Sequence, residues 1–530
     1  MRTARRILQA GAVLIVLAAI SGPLFELDQY QVPKELVLHL AAFGAAVAAL
    51  AGVRRLPLAT VDFLLLGFAA LSTVSAVAAG NHWLAARSVG ITWAGLAVFW
   101  VARGLARLGL ARPLLGMLAF AAVLAAATGV LQAYGLDLPL ASPRRAPGGT
   151  FGNRNFLAHL TAIGLPLITY LAIDSRARLA PWLGALGLAI SSAALLFSRS
   201  RAAWLAVAAG LTIFLVEGIG VSGLWRDPRI RRRLATLAIA GAVSVVAAVT
   251  IPNTLDWRSD SPYLESLAGV ANFREGSGRG RLIQYGNTLR MVRDAPLLGV
   301  GPGNWPIEYP RYTTPGDPAF DHGDPIPTNP WPSSDWVALV AERGIPAAAF
   351  LLAAGIAMLV VGWRRSRQKG RSPEGLAGLA MIATIVVAAV VGTFDAVMLL
   401  AAPTFFVWGA LGALHPPPRE TIGVSRESIL RSVRIAAVAG GCGLALLAAI
   451  QTASIAVAGD GSSRNRLVWA TRLDPGSYRL RILLAARVDG CARKRPLAER
   501  AHQLYPNHDA PRRILRTCGR RIPAVKPADP

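Results

Sequence analysis

The stretch PSSDWVALVAERG, residues 332–344, carries two acids, Asp335 and Glu342, seven residues apart and so on one side of any helix it forms. A carboxylate at a membrane surface can take the proton from a sugar hydroxyl, which is general-base chemistry. The same residues also suit a plainer task. Ser333, Ser334 or Asp335 caps the helix, Asp335 favours the positive end of its dipole, and Glu342 reaches the surface or pairs with a neighbour. On sequence alone both readings stand.

The arginines are the second group with chemistry in them. Arg199 and Arg201 lie in FSRSRAAW, between two apolar runs. Arg144 and Arg145 precede GGTFGNRNFLAHL, which contains Arg154, and Arg274, Arg279, Arg281, Arg290 and Arg293 crowd one polar segment. Guanidinium groups grip phosphate in bidentate geometry and stay charged. Arg199, Arg201, Arg281 and Arg154 are therefore candidate ligands of a lipid phosphate or diphosphate, with headgroup anchoring at helix ends as the alternative.

Other motifs carry less. GGTFGNRNF reads as a tight turn before a helix rather than an amide cradle. The glycines at 299, 301 and 303 in DAPLLGVGPGNW lack a strand–turn–helix context and read as a packed loop. His322, with Asp321 and Asp324 in FDHGDP, is a candidate base or metal ligand, and a solvated loop is the plainer reading. Zinc spacing and a Ser-His-Asp order are absent elsewhere, so neither metal nor cofactor is expected.

What must position these residues is set by composition. Of 530 residues, 54% are hydrophobic and 16% charged, with mean hydropathy +0.46. Soluble domains carry roughly 25% charged residues. Thirteen apolar runs, the first near 7–24 and the last near 435–458, are long enough to cross a bilayer. The expected fold is an all-α polytopic membrane protein with 12 to 13 transmembrane helices. The net charge of +26 sits mostly in short loops, as orientation by positive charge requires, so nucleic acid is not the expected partner.

That charge bias puts the N-terminus in the cytoplasm. The expected organisation is a helical region over 1–251, a large periplasmic loop over 252–343, further spans over 344–458 and a periplasmic tail over 459–530. MRTARRILQAGAVLIVLAAIS has the form of a signal peptide but reads as a retained first helix, given the spans after it. In the tail, Pro475 and Pro506 stand 31 residues apart, near the period of a tetratricopeptide pair. The tail thus reads as short helices able to engage a protein partner, or as a basic amphipathic segment on the membrane surface. Cys491 and Cys518 lie in it and can pair in an oxidising compartment, whereas Cys442 lies in a span.

Several stretches in order resemble the O-antigen ligase and polymerase group: GVLQAYGLDLP, GGTFGNRNFLAHL, FSRSRAAWLAVAAG, GRGRLIQYGNTLRMVRDAPLLGVGPGNW, PSSDWVALVAERGIPAAAFLL and FDAVMLLAAPTFFVWGALGAL. They cover residues 120 to 415. The resemblance implies a glycosyltransferase of the bacterial inner membrane that needs no metal. Its donor would be a polyprenyl-diphosphate-linked glycan and its acceptor a lipid-borne or glycan sugar. Arg199 or Arg201 and Arg281 match the family's diphosphate-binding arginines. The family reads His-Asn-Asp where this chain has Ser333, Ser334 and Asp335. The histidine assigned to activate the acceptor is therefore missing, leaving Asp335 or His322 as the candidate base. Ligase is the first expectation, polymerase the second, and a non-catalytic scaffold or transporter the alternative of another class.

Overall fold

Within a bilayer every backbone N–H and C=O must be satisfied inside its own segment, so long apolar runs fold as helices. The computed structural model describes all residues except 21–25, 54–55, 137–139, 142–145, 222–225, 258, 315–316, 318–319, 321–330, 368–372, 417–421, 425–426 and 521–530. The first half contains α1 (Arg2–Leu17), α2 (Glu26–Leu50), α3 (Thr60–Val77), α4 (His82–Arg107), α5 (Ala111–Ala133), α6 (Arg154–Asp174), α7 (Ala180–Ser198), α8 (Arg201–Leu215) and α9 (Pro228–Thr250). A polar segment follows with α10 (Pro262–Ala268), α11 (Gly276–Asp294) and α12 (Trp305–Glu308). Then come α13 (Asp335–Ser366), α14 (Pro373–Phe394), α15 (Ala401–Leu414) and α16 (Glu427–Ala458). The tail adds α17 (Arg464–Leu473), α18 (Tyr478–Arg487), α19 (Cys491–Leu504) and α20 (Asp509–Thr517).

Each of the thirteen apolar runs overlaps one of these helices. Eleven helices among the described residues are long and apolar enough to cross a membrane. The two shorter ones are α1, of 16 residues, and α15, of 14. Every residue of α15 is buried, and the helix packs against α4, α5, α6 and α14. Among the described residues strands are confined to β1 (Leu56–Leu58) and β2 (Ile422–Val424), paired antiparallel with Leu56 opposite Val424.

The segment between α9 and α13 builds a small core of its own. Met291, Val292, Trp305, Tyr309 and Tyr312 pack with Ala341 of α13. Burial, with its hydrogen bond to Asp317 next, holds the Tyr309 phenol well above its usual range. The glycine-rich loop docks on a break in α13. Gly344 has φ 79° and ψ 166°, so α13 runs as a short helix to Arg343 and restarts at Ile345. Val300 N donates to Ala341 O (2.9 Å), Gly301 N to Glu342 O (2.9 Å) and Ile345 N to Pro296 O (2.8 Å). A side chain at Gly344 would meet Leu297 O at 2.1 Å, so this backbone needs glycine.

The tail forms four short helices, each packed on the next, and docks on the protein. Arg479 pairs with Asp28 of α2 (2.7 Å). Asn81 Nδ2 donates to Leu504 O (3.2 Å), and Asn507 Nδ2 donates to Ile307 O (3.0 Å). These bonds hold the tail to α2, to the start of α4 and to α12 together. These contacts pack the tail on protein.

Cys491 and Cys518, at the start of α19 and the end of α20, form a disulfide. Blocking thiols at lysis should therefore leave both cysteines unlabelled until reductant is added. Peptide mass spectrometry checks this, and labelling at both sites without reductant would show the bond does not form.

Candidate functional site

The site is assembled where α11, the start of α13 and the α14–α15 junction meet. α11 acts as the clamp. Tyr285 shares its hydroxyl between Ser333 O (2.6 Å) and Thr393 O (2.8 Å). Gln284 Oε1 accepts from Ser333 N (2.8 Å). One turn of one helix thus ties the residues before α13 to the end of α14. Ser334 is the N-cap of α13, its Oγ accepting from Val337 N (3.5 Å) and donating to Gly392 O (3.2 Å).

Asp335 is buried and its carboxylate is occupied. Oδ1 accepts from Val397 N (2.8 Å) and Oδ2 from Met398 N (2.9 Å). Charge-assisted bonds of this kind to backbone amides are among the stronger ones. They fix the turn that leads into α15. Glu342 faces elsewhere, with Oε1 accepting from Trp305 N (3.4 Å). The two acids share a helix side, but they serve different neighbours and do not form a catalytic pair.

The arginines divide into two groups. Arg199 is the C-cap of α7 and the one non-glycine residue with positive φ (52°) among the described residues. Such a conformation costs on the order of 1–3 kcal/mol. Its Nε donates to Ser266 Oγ (2.7 Å), its NH2 pairs with Glu265 (3.0 Å), and it lies 4.8 Å over the Trp257 ring. Arg154 lies over the same ring at 5.1 Å. Arg201 donates to Gly269 O and to Ser277 Oγ (2.7 Å). These three hold the polar segment against α6, α7 and α8.

Arg281 differs. It is half-buried on α11, and its Nε is buried without a hydrogen-bond partner among the described residues. Its charge acts on Asp395, Tyr285, Arg201 and His159. Burial raises the Asp395 carboxyl to about 6, against the pull of the Ala396 N–H and of Arg281. Burial likewise raises the Tyr285 phenol to about 12. A carboxyl poised near neutrality beside an arginine with an unused donor can take a proton while the arginine meets an anion.

Arg281 therefore lies within electrostatic range of Arg201 and of Asp395, and Trp257 joins Arg154 to Arg199. His322, Asp321, Asp324, Arg144 and Arg145 lie outside the described residues. GGTFGNRNF forms a turn clamped from below, with Lys34 Nζ donating to Thr150 O (3.0 Å). Sequence reasoning did not select Asp395 or Tyr285. The signal for Asp395 was a lone acid in the apolar stretch VGTFDAVMLL, which by default marks a functional position.

Residues 186–352 match the family described as O-antigen ligase. The matched segment runs from within α7 into α13 and contains Arg199, Arg201, Arg281 and Asp335, whereas Arg154 and Asp395 lie outside it. No curated protein matches the chain. The family and the apolar helices together support a multi-pass membrane protein with a glycan-transfer role of ligase type.

Asp335→Asn leaves one of two buried amides facing an amide NH2 instead of an oxygen. The expected cost is about 1–3 kcal/mol of stability. A lowered melting temperature of the detergent-purified variant checks this, and an unchanged one would return Asp335 to the list of groups free for chemistry.

Proposed function

We propose that this protein transfers a glycan from a polyprenyl-diphosphate-linked donor to an acceptor sugar at the non-cytoplasmic face of the bacterial inner membrane. The observation that carries this reading is the buried Nε of Arg281, without a hydrogen-bond partner among the described residues and within electrostatic range of Asp395, on the α11 clamp inside the segment that matches the ligase family. Arg281, supported by Arg201, meets the diphosphate and stabilises the charge that develops as the glycosidic bond breaks. Asp395 takes the proton of the attacking acceptor hydroxyl. Asp335 positions the turn that carries Asp395, and His322 is the other candidate base from sequence. Arg199 and Arg154 hold the loop that lies over the donor. Membrane lipids surround the site, and the tail offers a surface for a protein partner.

The disulfide supports placing the tail, and with it the polar segment it docks on, outside the reducing cytoplasm. One observation favours a non-catalytic scaffold instead. The residue aligned with the family's acceptor-activating group is a serine, and the neighbouring Asp335 carboxylate is already engaged.

Arg281→Ala should lower glycan transfer on the order of 10²–10³-fold while the protein still inserts. The surface-glycan profile of a deletion strain complemented with each form reads this out. Long glycan lost from its lipid anchor, with polymer retained on the carrier, identifies a ligase; single repeat units identify a polymerase. Full complementation by Arg281→Ala removes the donor-site assignment and favours the scaffold.

Asp395 acts in its ionised form, so kcat/KM should fall about tenfold per unit as pH drops below about 6 and level off above it. Asp395→Asn should remove that limb along with most activity. An unaltered pH profile in the variant would assign the proton transfer to another group.

A further inference from the structure

Beneath the docked tail lies a cavity of about 160 Å³. Its walls come from α2, α4, α16, the loop before α18 with the first turn of that helix, and Tyr505 after α19, with Trp331 and Leu399 on the side of the candidate site. Leu399 follows the two residues whose amides hold Asp335, so the cavity adjoins the proposed acceptor side. Cavities of roughly 150 Å³ hold one six-membered ring.

The lining is that of a polar ligand. Gln31 Nε2 and Gln451 Oε1 are buried and have no hydrogen-bond partner among the described residues. Both glutamines are only 4% exposed. Buried polar atoms are nearly always paired, so a donor and an acceptor left open on one cavity call for an occupant. Glu35 and Arg87 line it as a bidentate pair, Arg87 Nε to Glu35 Oε2 at 2.6 Å and NH2 to Oε1 at 2.8 Å. Trp83 and Tyr505 supply aromatic surface. The Arg479–Asp28 bridge fastens the tail across the rim.

We propose that this cavity is a saccharide subsite that holds one uncharged pyranose ring of the glycan being joined. Ring hydroxyls both donate and accept, which matches the two open amide atoms, and the C–H faces of a sugar pack on aromatic rings. Glu35 and Asp28 are already neutralised by arginine, whereas Glu342 and Asp474 add further negative charge to the wall, which disfavours an acidic sugar. This subsite rests on the glycan-transfer reading for its substrate, but its geometry is separate from that of Arg281.

Saturation-transfer NMR on the full-length protein in detergent tests it, with glucose, galactose, rhamnose, N-acetylglucosamine and glucuronic acid as probes. At least one neutral sugar should receive saturation, and glucuronic acid should not. Gln31→Leu with Gln451→Leu should weaken that signal about tenfold. In membranes the same variant should raise KM for the glycan substrate with kcat nearly unchanged. Arg479→Ala, which unfastens the tail without touching the amides, should weaken the signal as well. No saturation of any neutral sugar, or an unchanged signal in the folded glutamine variant, overturns the subsite and leaves a water-filled cavity. Arg281→Ala should keep the saturation signal while losing transfer, so failure of the subsite and failure of the transfer reading are told apart.

Discussion

A charged or polar group taken out of water must find its partner inside the protein, and this constraint shapes the whole molecule. Glu35 and Arg87 meet through two bonds. Asp62, fully buried in α3, takes Arg103 at 2.5 Å and Trp100 Nε1 at 2.9 Å. Asp335 is met by backbone amides alone. Each of these closes a junction between segments distant in sequence. Other buried side-chain polar atoms have no hydrogen-bond partner among the described residues, and three of them lie where a ligand could sit. Arg281 Nε lies at the α11 clamp, and Gln31 Nε2 and Gln451 Oε1 lie on the cavity.

The clamp and the broken helix belong to one arrangement. α13 cannot run straight, because Gly344 turns the chain between the segment that packs in the polar region and the segment that spans. The glycine loop fills that break with backbone hydrogen bonds to Ala341 and Glu342. The first turns of α13 are thereby held by α11 on one side and by the α14–α15 junction on the other. A site between rigid elements is better fixed than one on a free loop. The tail extends the same principle, since its bonds to Asp28, Asn81 and Ile307 join α2, α4 and α12.

The helices were legible because apolar runs leave the backbone no alternative, and all thirteen runs overlap helices. The packed glycine loop was legible too, since it lacked the context of a phosphate-binding loop. The roles of the arginines were not. Arg199 and Arg281 are alike in sequence, both basic and both near polar turns. What separates them is tertiary. Glu265, Ser266 and Trp257 engage Arg199, and nothing among the described residues engages Arg281 Nε. Spacing along the chain carries no record of partners some 65 residues away. The cavity was invisible for the same reason, being walled by residues from Asp28 to Tyr505.

The missing histidine also takes on a physical meaning. The family's motif ends in an aspartate, and here that aspartate binds amides that precede α15. Those amides lie two and three residues after Asp395, so Asp335 fixes the backbone next to Asp395. In this arrangement Asp395, the proposed base, lies on the α14–α15 junction within electrostatic range of Arg281, and its placement does not call on the side chain at position 333. Among the described residues Ser333 engages neighbours through its backbone, its N–H to Gln284 and its carbonyl to Tyr285. A side chain that works through its main chain can be exchanged at little cost. The loss of histidine at that position is therefore compatible with a site whose proton acceptor is carried one loop away.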